Sequence, residues 1–272
     1  MTTTGFLHPG AMGATIAAAC AGETLWSSEG RSAATRRRAE QAGLVDVVSL
    51  SGLVSRCDTI VSVCPPADAL SVAESVAALG FAETYVDANA VSPMTTDRIA
   101  ERFEHFVDGG IVGPPAQQRG TTRMYLSGDD APAVATRWDG SVLDVRPIDG
   151  GVGAASAVKM LYASWGKHNA ALMLAINAVA ESFGVAETLR SEWAISRPDF
   201  VAESEAAADR TSVKAWRFEG EMLEIAATFA AAGQPAAFHE AAARVFGRLS
   251  GFKDADTPPD LATVVAALLD IT

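Results

Sequence analysis

The 272-residue chain is 49% hydrophobic and carries a formal net charge of -12, a length that suits two domains or one large α/β unit. This acidic balance excludes a general attraction to nucleic acid or to an anionic membrane surface, since that binding needs Lys and Arg to displace counterions. The three cysteines, Cys20, Cys57 and Cys64, have no metal-ligand spacing and predict small buried side chains in a reducing compartment, with no metal site.

The chain opens with a β-rich run, Thr3 to Leu7, a Gly-rich turn and an Ala-rich helix from Ala11 to Ala21, which is a βαβ opening. A strand from Thr24 to Ser28 and a helix from Ser32 to Ala42 follow, the helix ending at Gly43, a residue suited to a helix C-terminus. Further strands are predicted at Val45 to Ser49, Thr59 to Cys64, Thr84 to Ala88, His105 to Val112, Arg123 to Ser127 and Val142 to Ile148, with helices between most of them. Such alternation specifies a doubly wound, mostly parallel sheet, because parallel neighbours need crossover connections. Near Asp149 to Gly153 a Gly-rich hinge gives way to a long helical run, Ala154 to Phe183, and to Ala-, Leu- and Glu-rich helical sequence thereafter. The expected fold is an α/β Rossmann-type domain over 1–150 followed by an all-α domain over 151–272. No leader with a basic head, apolar core and cleavage site is seen, and no run of about 18 apolar residues. The expectation is a cytoplasmic protein with no membrane or nucleic-acid partner.

The segment Gly5-Phe6-Leu7-His8-Pro9-Gly10-Ala11-Met12-Gly13 lies where the first strand turns into the first helix, the place where a Gly-rich fingerprint has mechanical meaning. Gly10 lets backbone N–H groups approach a pyrophosphate, Gly13 lets helix and strand pack closely, and the helix N-terminus supplies partial positive charge. His8 stands where the first glycine usually is. Cofactor contacts are expected from His8, Pro9, Gly10, Ala11 and Met12. The end of the second strand selects the dinucleotide. There Ser27, Ser28 and Arg31 form an expected clasp for a 2′-phosphate, favouring NADP, while Glu29 argues for NAD unless it points to solvent. The plainer alternative is a Ser-capped helix with solvated arginines, above all Arg36, Arg37 and Arg38.

These residues resemble the β-hydroxyacid dehydrogenase superfamily, which includes 6-phosphogluconate and 3-hydroxyisobutyrate dehydrogenases and, more distantly, imine reductases. The Gly-Ala-Met-Gly fingerprint resembles its nucleotide loop, and Val61-Ser62-Val63-Cys64-Pro65-Pro66 its strand and loop beside the nicotinamide, so Cys64 and Pro65 are expected cofactor neighbours. Val86 to Pro93 and Asp108-Gly109-Gly110-Ile111-Val112-Gly113 are similar to its later strand-end and substrate-binding segments. The second of these is closer to the imine reductase version, with Val112 where the hydroxyacid dehydrogenases have serine. The turn around Arg31 and the Ala-Ser-Ala-Val-Lys-Met segment most resemble a branch of 6-phosphogluconate dehydrogenase NAD-binding-like proteins with a C-terminal helical domain of unknown function.

Gly153-Ala154-Ala155-Ser156-Ala157-Val158-Lys159 is similar to the family's Gly-x-Gly-x-x-x-Lys segment, with Ala155 in place of the second glycine. The resemblance makes Lys159 the general acid/base. Its small apolar neighbours are expected to desolvate the ammonium and bring its pKa toward working pH, whereas a snorkelling lysine is the plain alternative. The asparagine that follows this lysine in the hydroxyacid dehydrogenases is Ala163 here, so Tyr162 or Ser164 is expected to take its place. Gly110, Val112, Tyr162 and Ser164 are the expected substrate neighbours. Asn89 is expected to contact cofactor ribose or substrate, or else to make a turn. Glu219-Gly220-Glu221 falls where acid-binding relatives carry a second lysine, which disfavours a simple carboxylate substrate. The resemblance implies an NADPH-dependent oxidoreductase of a small carbonyl or hydroxyl compound, a homodimer through its helical domain, with active sites between one subunit's nucleotide domain and a partner's helices. The alternatives are an NADPH-dependent imine reductase and a non-catalytic NADP-binding sensor.

Overall fold

In the computed structural model, which describes residues 2–253 and 255–270, the chain divides into two compact units, 1–161 and 162–272. Where the sequence places the change at the Gly-rich hinge after 150, the division falls after Leu161, inside one continuous helix.

The first unit contains β1 (Thr3–Leu7), α1 (Ala11–Ala18), β2 (Glu23–Trp26), α2 (Ala33–Gln41), β3 (Val45–Asp46), α3 (Leu50–Val54), β4 (Thr59–Ser62), α4 (Ala69–Ala77), β5 (Thr84–Asp87) and α5 (Pro93–Ala100). It continues through β6 (Phe106–Val112), β7 (Arg123–Ser127), α6 (Ala131–Ala135) and β8 (Asp144–Pro147) to the first turns of α7 (Ala154–Ser182). The eight strands lie in the order β3-β2-β1-β4-β5-β6-β7-β8. Neighbours are parallel except β6 and β7, which pair antiparallel with Gly110 opposite Tyr125.

Side chains alternate between the faces of a strand, and here each face has its own core. Phe6, Val61, Val86 and Val107 pack on one side with Ile16, Trp26 and Trp138. Their chain neighbours Leu7, Ile60, Tyr85 and Phe106 pack on the other with Leu53, Val76 and Ile99. A sheet buried on both faces is what β-branched and aromatic runs flanked by amphipathic helices specify.

The second unit holds the rest of α7, then α8 (Ala186–Ser196), α9 (Phe200–Thr211), α10 (Ala215–Ala231), α11 (Ala237–Arg248) and α12 (Leu261–Leu269). Phe218 of α10 meets Phe246 of α11 edge to face at 5.4 Å. Among the described residues no helix is long and apolar enough to cross a membrane, and no cluster of three metal-ligating side chains exists. Cys20, Cys57 and Cys64 are free thiols.

Candidate active site

The first unit's site begins at the turn between β1 and α1. His8 adopts φ 58°, a left-handed conformation that costs a non-glycine residue energy. It lets the His8 carbonyl accept the Gly10 N–H at 2.6 Å. Gly10 is the extended N-cap of α1 and offers no side-chain cap to the helix, so the helix's first N–H groups at Ala11 and Met12 lack that partner. A Cβ on Gly13 would stand 3.3 Å from the His8 carbonyl oxygen and 3.4 Å from Val63 Cβ. The glycine is what allows α1 to close on β4.

The His8 ring has a buried Nδ1 with no hydrogen-bond partner among the described residues. Burial pushes the imidazole down to about 4, the nearby Arg31 guanidinium adding to the effect and Asp68 opposing it. His8 is therefore uncharged at neutral pH. Burial lowers Arg31 from its ordinary value, while Cys64 and Asp68 raise it. His8, Arg31, Cys64 and Asp68 thus share one electrostatic neighbourhood at the carboxyl ends of β1, β2 and β4. An uncapped helix N-terminus, an orphaned imidazole nitrogen and an arginine nearby fit the phosphates of a dinucleotide.

The expected 2′-phosphate clasp is only partly free. The Ser27 hydroxyl donates to the Val48 carbonyl at 3.0 Å, and buried Ser28 is bound by its N–H and hydroxyl to the Asp46 carboxylate. Burial pushes the Asp46 carboxyl up, but hydrogen bonds from Ser28 and Val48 hold it below its ordinary value. These bonds hold the shape of the loop. The Arg31 guanidinium is the one member with no hydrogen bond or ion pair among the described residues. Arg36, although exposed, donates to the Ser28 carbonyl at 2.8 Å and the Arg31 carbonyl at 3.3 Å. Arg38 reaches the Pro9 carbonyl at 3.4 Å, tying α2 to the nucleotide turn.

Asn89 is 3% exposed. Its Oδ1 accepts the Cys64 N–H at 2.6 Å and its Nδ2 donates to Ser62 Oγ at 3.1 Å. Through these bonds Asn89 braces the loop carrying Cys64 and Pro65. Burial pushes the Cys64 thiol up to about 12, so it stays protonated and is no nucleophile.

Asp108 on β6 is fully buried. Its Oδ2 accepts the Ser156 N–H at 2.9 Å and the Ser127 hydroxyl at 3.1 Å, and its Oδ1 lies 2.6 Å from Ser156 Oγ. Ser127 Oγ in turn accepts the Ala155 N–H at 3.1 Å, and Thr96 Oγ1 is 2.9 Å from Ser156 Oγ. Side chains from β6 and β7 therefore satisfy N–H groups in the first turn of α7, groups that no intrahelical carbonyl can reach. Burial raises the Asp108 carboxyl above its ordinary value, against hydrogen bonds from Ser156, Ser127 and Ala155 that pull it down.

One turn on stands Lys159, half-buried. A Cβ at Gly110 would run into the Ala155 carbonyl and lie 3.1 Å from Lys159 Cβ, so the missing side chain at 110 is what brings this turn of α7 onto β6. The structure thus joins Lys159 to Gly110, although the glycine acts by admitting the helix. Val112, two residues along β6, is 3% exposed and buried in the unit. Tyr162 and Ser164 belong to the second unit, Tyr162 being 63% exposed. In that unit Glu221, expected to oppose a carboxylate, has its charge met by Lys167 at 2.8 Å. The Asp108 network went unrecognised in the sequence, where its partners Ser127 and Ser156 lie 19 and 48 residues away; only the pairing of β6 with β7 reveals it.

Residues 180–249 match the family DUF1932, a domain of unknown function. An uncharacterized 28.5 kDa protein of Methanothermus fervidus is 31% identical over 163 residues, 59% of this chain. The match spans 63% of that relative's length. The solved structure of the conserved protein MTH1747, of unknown function and described as similar to 3-hydroxyacid dehydrogenases, is 26% identical, with a TM-score of 0.65 over 92% of this chain and 97% of that one. The 3-hydroxyisobutyrate dehydrogenase of Salmonella typhimurium superposes with a TM-score of 0.68 at 17% identity, over 98% and 99% of the two chains. A reductive aminase of Aspergillus terreus, in complex with NADPH and ethyl levulinate, does so at 0.53 and 14% identity, over 98% and 99%. By its fold the chain is similar to 3-hydroxyacid dehydrogenases, and its residues 180–249 carry the DUF1932 domain.

Proposed function

We propose that the chain is an NADP-dependent oxidoreductase acting on a small carbonyl or hydroxyl compound, with Lys159 as general acid/base. The observation that carries this reading is the seating of Lys159 on β6, one turn beyond a helix start anchored by Asp108 and admitted by Gly110. NADPH, when bound, supplies the hydride. His8, Pro9, Gly10, Ala11 and Met12 would hold its diphosphate at the α1 N-terminus, and Cys64 and Pro65 would border its reactive end. In reduction the Lys159 ammonium hydrogen-bonds the substrate carbonyl oxygen and gives it a proton as the carbon gains hydride; in oxidation the neutral amine takes that proton back. Fixing the helix start matters because misplacing an acid by about 1 Å costs orders of magnitude in rate.

Imine reduction is the second reading, favoured by Val112, which offers no hydroxyl where a hydroxyacid would be held. The test is NADPH oxidation across paired carbonyl and imine panels: turnover on carbonyls supports the first reading and turnover on imines alone the second. Tight NADPH binding with turnover on neither would point to a sensor.

Cofactor choice rests on Arg31. Arg31→Ala is expected to weaken NADPH by about 10- to 100-fold, the worth of a charge-assisted contact, and NADH by less than about 2-fold. Titration of both cofactors by fluorescence checks this, and equal losses would remove Arg31 from the 2′-phosphate.

We further infer a homodimer through the helical unit. Trp165, Leu172, Val179 and Phe183 of α7 are 78%, 50%, 55% and 77% exposed, and their spacing puts them along one helix face. Leu172, Val179 and Phe183, with Val185 and Leu189, border a wholly apolar groove of about 590 Å³. Large apolar side chains exposed along one helix face support a protein–protein contact there. Sedimentation should give a dimer that Leu172→Glu with Phe183→Glu converts to a monomer; a monomeric parent chain would refute the inference.

A further inference from the structure

Among the described residues, two that are not glycine adopt a left-handed backbone, His8 at φ 58° and Val48 at φ 67°. For a β-branched residue this conformation is a true outlier, and strain of that kind collects at ligand-binding sites. His8 stands in the nucleotide turn at the carboxyl end of β1. Val48 stands two residues past β3, on the same edge of the parallel sheet, and ligands of open α/β sheets bind along that edge.

Local bonds hold the strained conformation. The Ser49 N–H donates to the Val47 carbonyl at 2.8 Å, which with the positive φ makes Val48 the centre of a strained γ-turn. The Val48 N–H donates to Asp46 Oδ1 at 2.8 Å, and its carbonyl accepts the Ser27 hydroxyl at 3.0 Å and the Glu29 N–H at 2.9 Å. The backbone of Val48 is thereby locked to the turn after β2 that carries Arg31. None of these bonds needs a valine. Glycine holds a left-handed backbone at no steric cost, and asparagine at little. Packing within the chain does not call for the side chain either, since Val48 is 65% exposed. What valine adds is a pair of methyl groups held beside the Arg31 turn.

We propose that the Val48 side chain is one wall of the subsite for the adenine base of the dinucleotide. This inference rests on the NADP reading and deepens it. The strand order β3-β2-β1-β4 carries it: with the diphosphate at β1 and the 2′-phosphate at Arg31 beyond β2, the adenosine half runs from β1 across β2. The base shares a ribose with that 2′-phosphate, which brings it to the turn after β3. The faces of a purine are apolar, and burying one against two methyl groups is favourable. Valine is retained at a cost in stability because it contacts ligand.

The test is calorimetric titration of the full chain with 2′,5′-ADP and with 5′-AMP, adenosine phosphates with and without the 2′-phosphate. Val48→Gly and Val48→Asn should bind both about 3- to 10-fold more weakly than the parent chain, and Val48→Ile should bind them as the parent does. The two weakened variants should melt no lower than the parent, since they release strain. Loss of 2′,5′-ADP affinity with 5′-AMP unchanged would overturn the proposal and make Val48 only a brace for Arg31. Unchanged affinity for both nucleotides, equal weakening in Val48→Ile, or a lower melting temperature in both weakened variants would overturn it as well, and would leave the NADP reading standing. A parent chain that binds neither nucleotide would overturn both.

Discussion

Replacing Lys159 by alanine is expected to lower kcat for carbonyl reduction by about 10²- to 10⁴-fold, the range a positioned acid or base supplies, while NADP+ binding changes by less than about 3-fold. The split follows from where the residue stands. Lys159 lies on α7 beside Gly110 of β6, so removing its amine is expected to take away a proton donor and to leave the nucleotide seat intact. Lys159→Arg keeps the charge but cannot give up a proton near neutral pH, and should be nearly as impaired. Being half-buried, the position tolerates truncation without loss of fold. Steady-state kinetics with NADPH, paired with NADP+ titration, check both halves, and an unchanged kcat would remove Lys159 from the chemistry.

Replacing Asp108 by alanine should cost about 2 to 4 kcal/mol of stability, because the Ser156 N–H and two buried hydroxyls lose their common acceptor. For a chain of this size that is a fall in Tm of about 5 to 15 °C. Asp108→Asn should cost far less, since the amide can still accept the Ser156 N–H and donate to a serine oxygen. The comparison depends on pH. Burial raises the Asp108 carboxyl in the folded protein, so the folded state holds that proton more tightly than the unfolded state. Stability contributed by this group therefore falls as pH rises from the ordinary carboxylate value through the raised one. A carboxamide at this position does not titrate, so thermal melts should show the parent losing ground to Asp108→Asn as pH rises. The opposite slope would mean that the carboxylate is stabilised as an anion at the start of α7. The alanine variant should also lower kcat more than it weakens NADP+ binding, since the anchor it removes sets the helix that carries Lys159.

Much of the architecture was legible in the sequence because its strands are β-rich runs set between helices with punctuating glycines. Arg123–Ser127 was placed to the residue, and the long helix to within one. Strand ends were overrun where local chemistry intervenes. β2 was expected to run to Ser28 but stops at Trp26, because Ser27 and Ser28 leave the ladder to bond Val48 and Asp46. The same bonds occupy both serines within the loop, a pairing that composition does not reveal. The bonds of the Asn89 amide to Cys64 and Ser62 are equally invisible in a strand-end asparagine. Lys159 stands out in the sequence through its motif, whereas Asp108 was visible only as part of a segment. Its function as an anchor depends on a strand pairing and a helix start 48 residues away, which no local pattern encodes.

The most direct test is a structure of the chain with NADP+ and a bound hydroxyl compound. The account requires Lys159 Nζ to lie within hydrogen-bond reach of the substrate oxygen, about 2.6 to 3.2 Å, with the carbon bearing that oxygen facing the nicotinamide of a cofactor seated on the turn at His8 to Met12. An amine directed into solvent, or a nucleotide bound elsewhere, would contradict it.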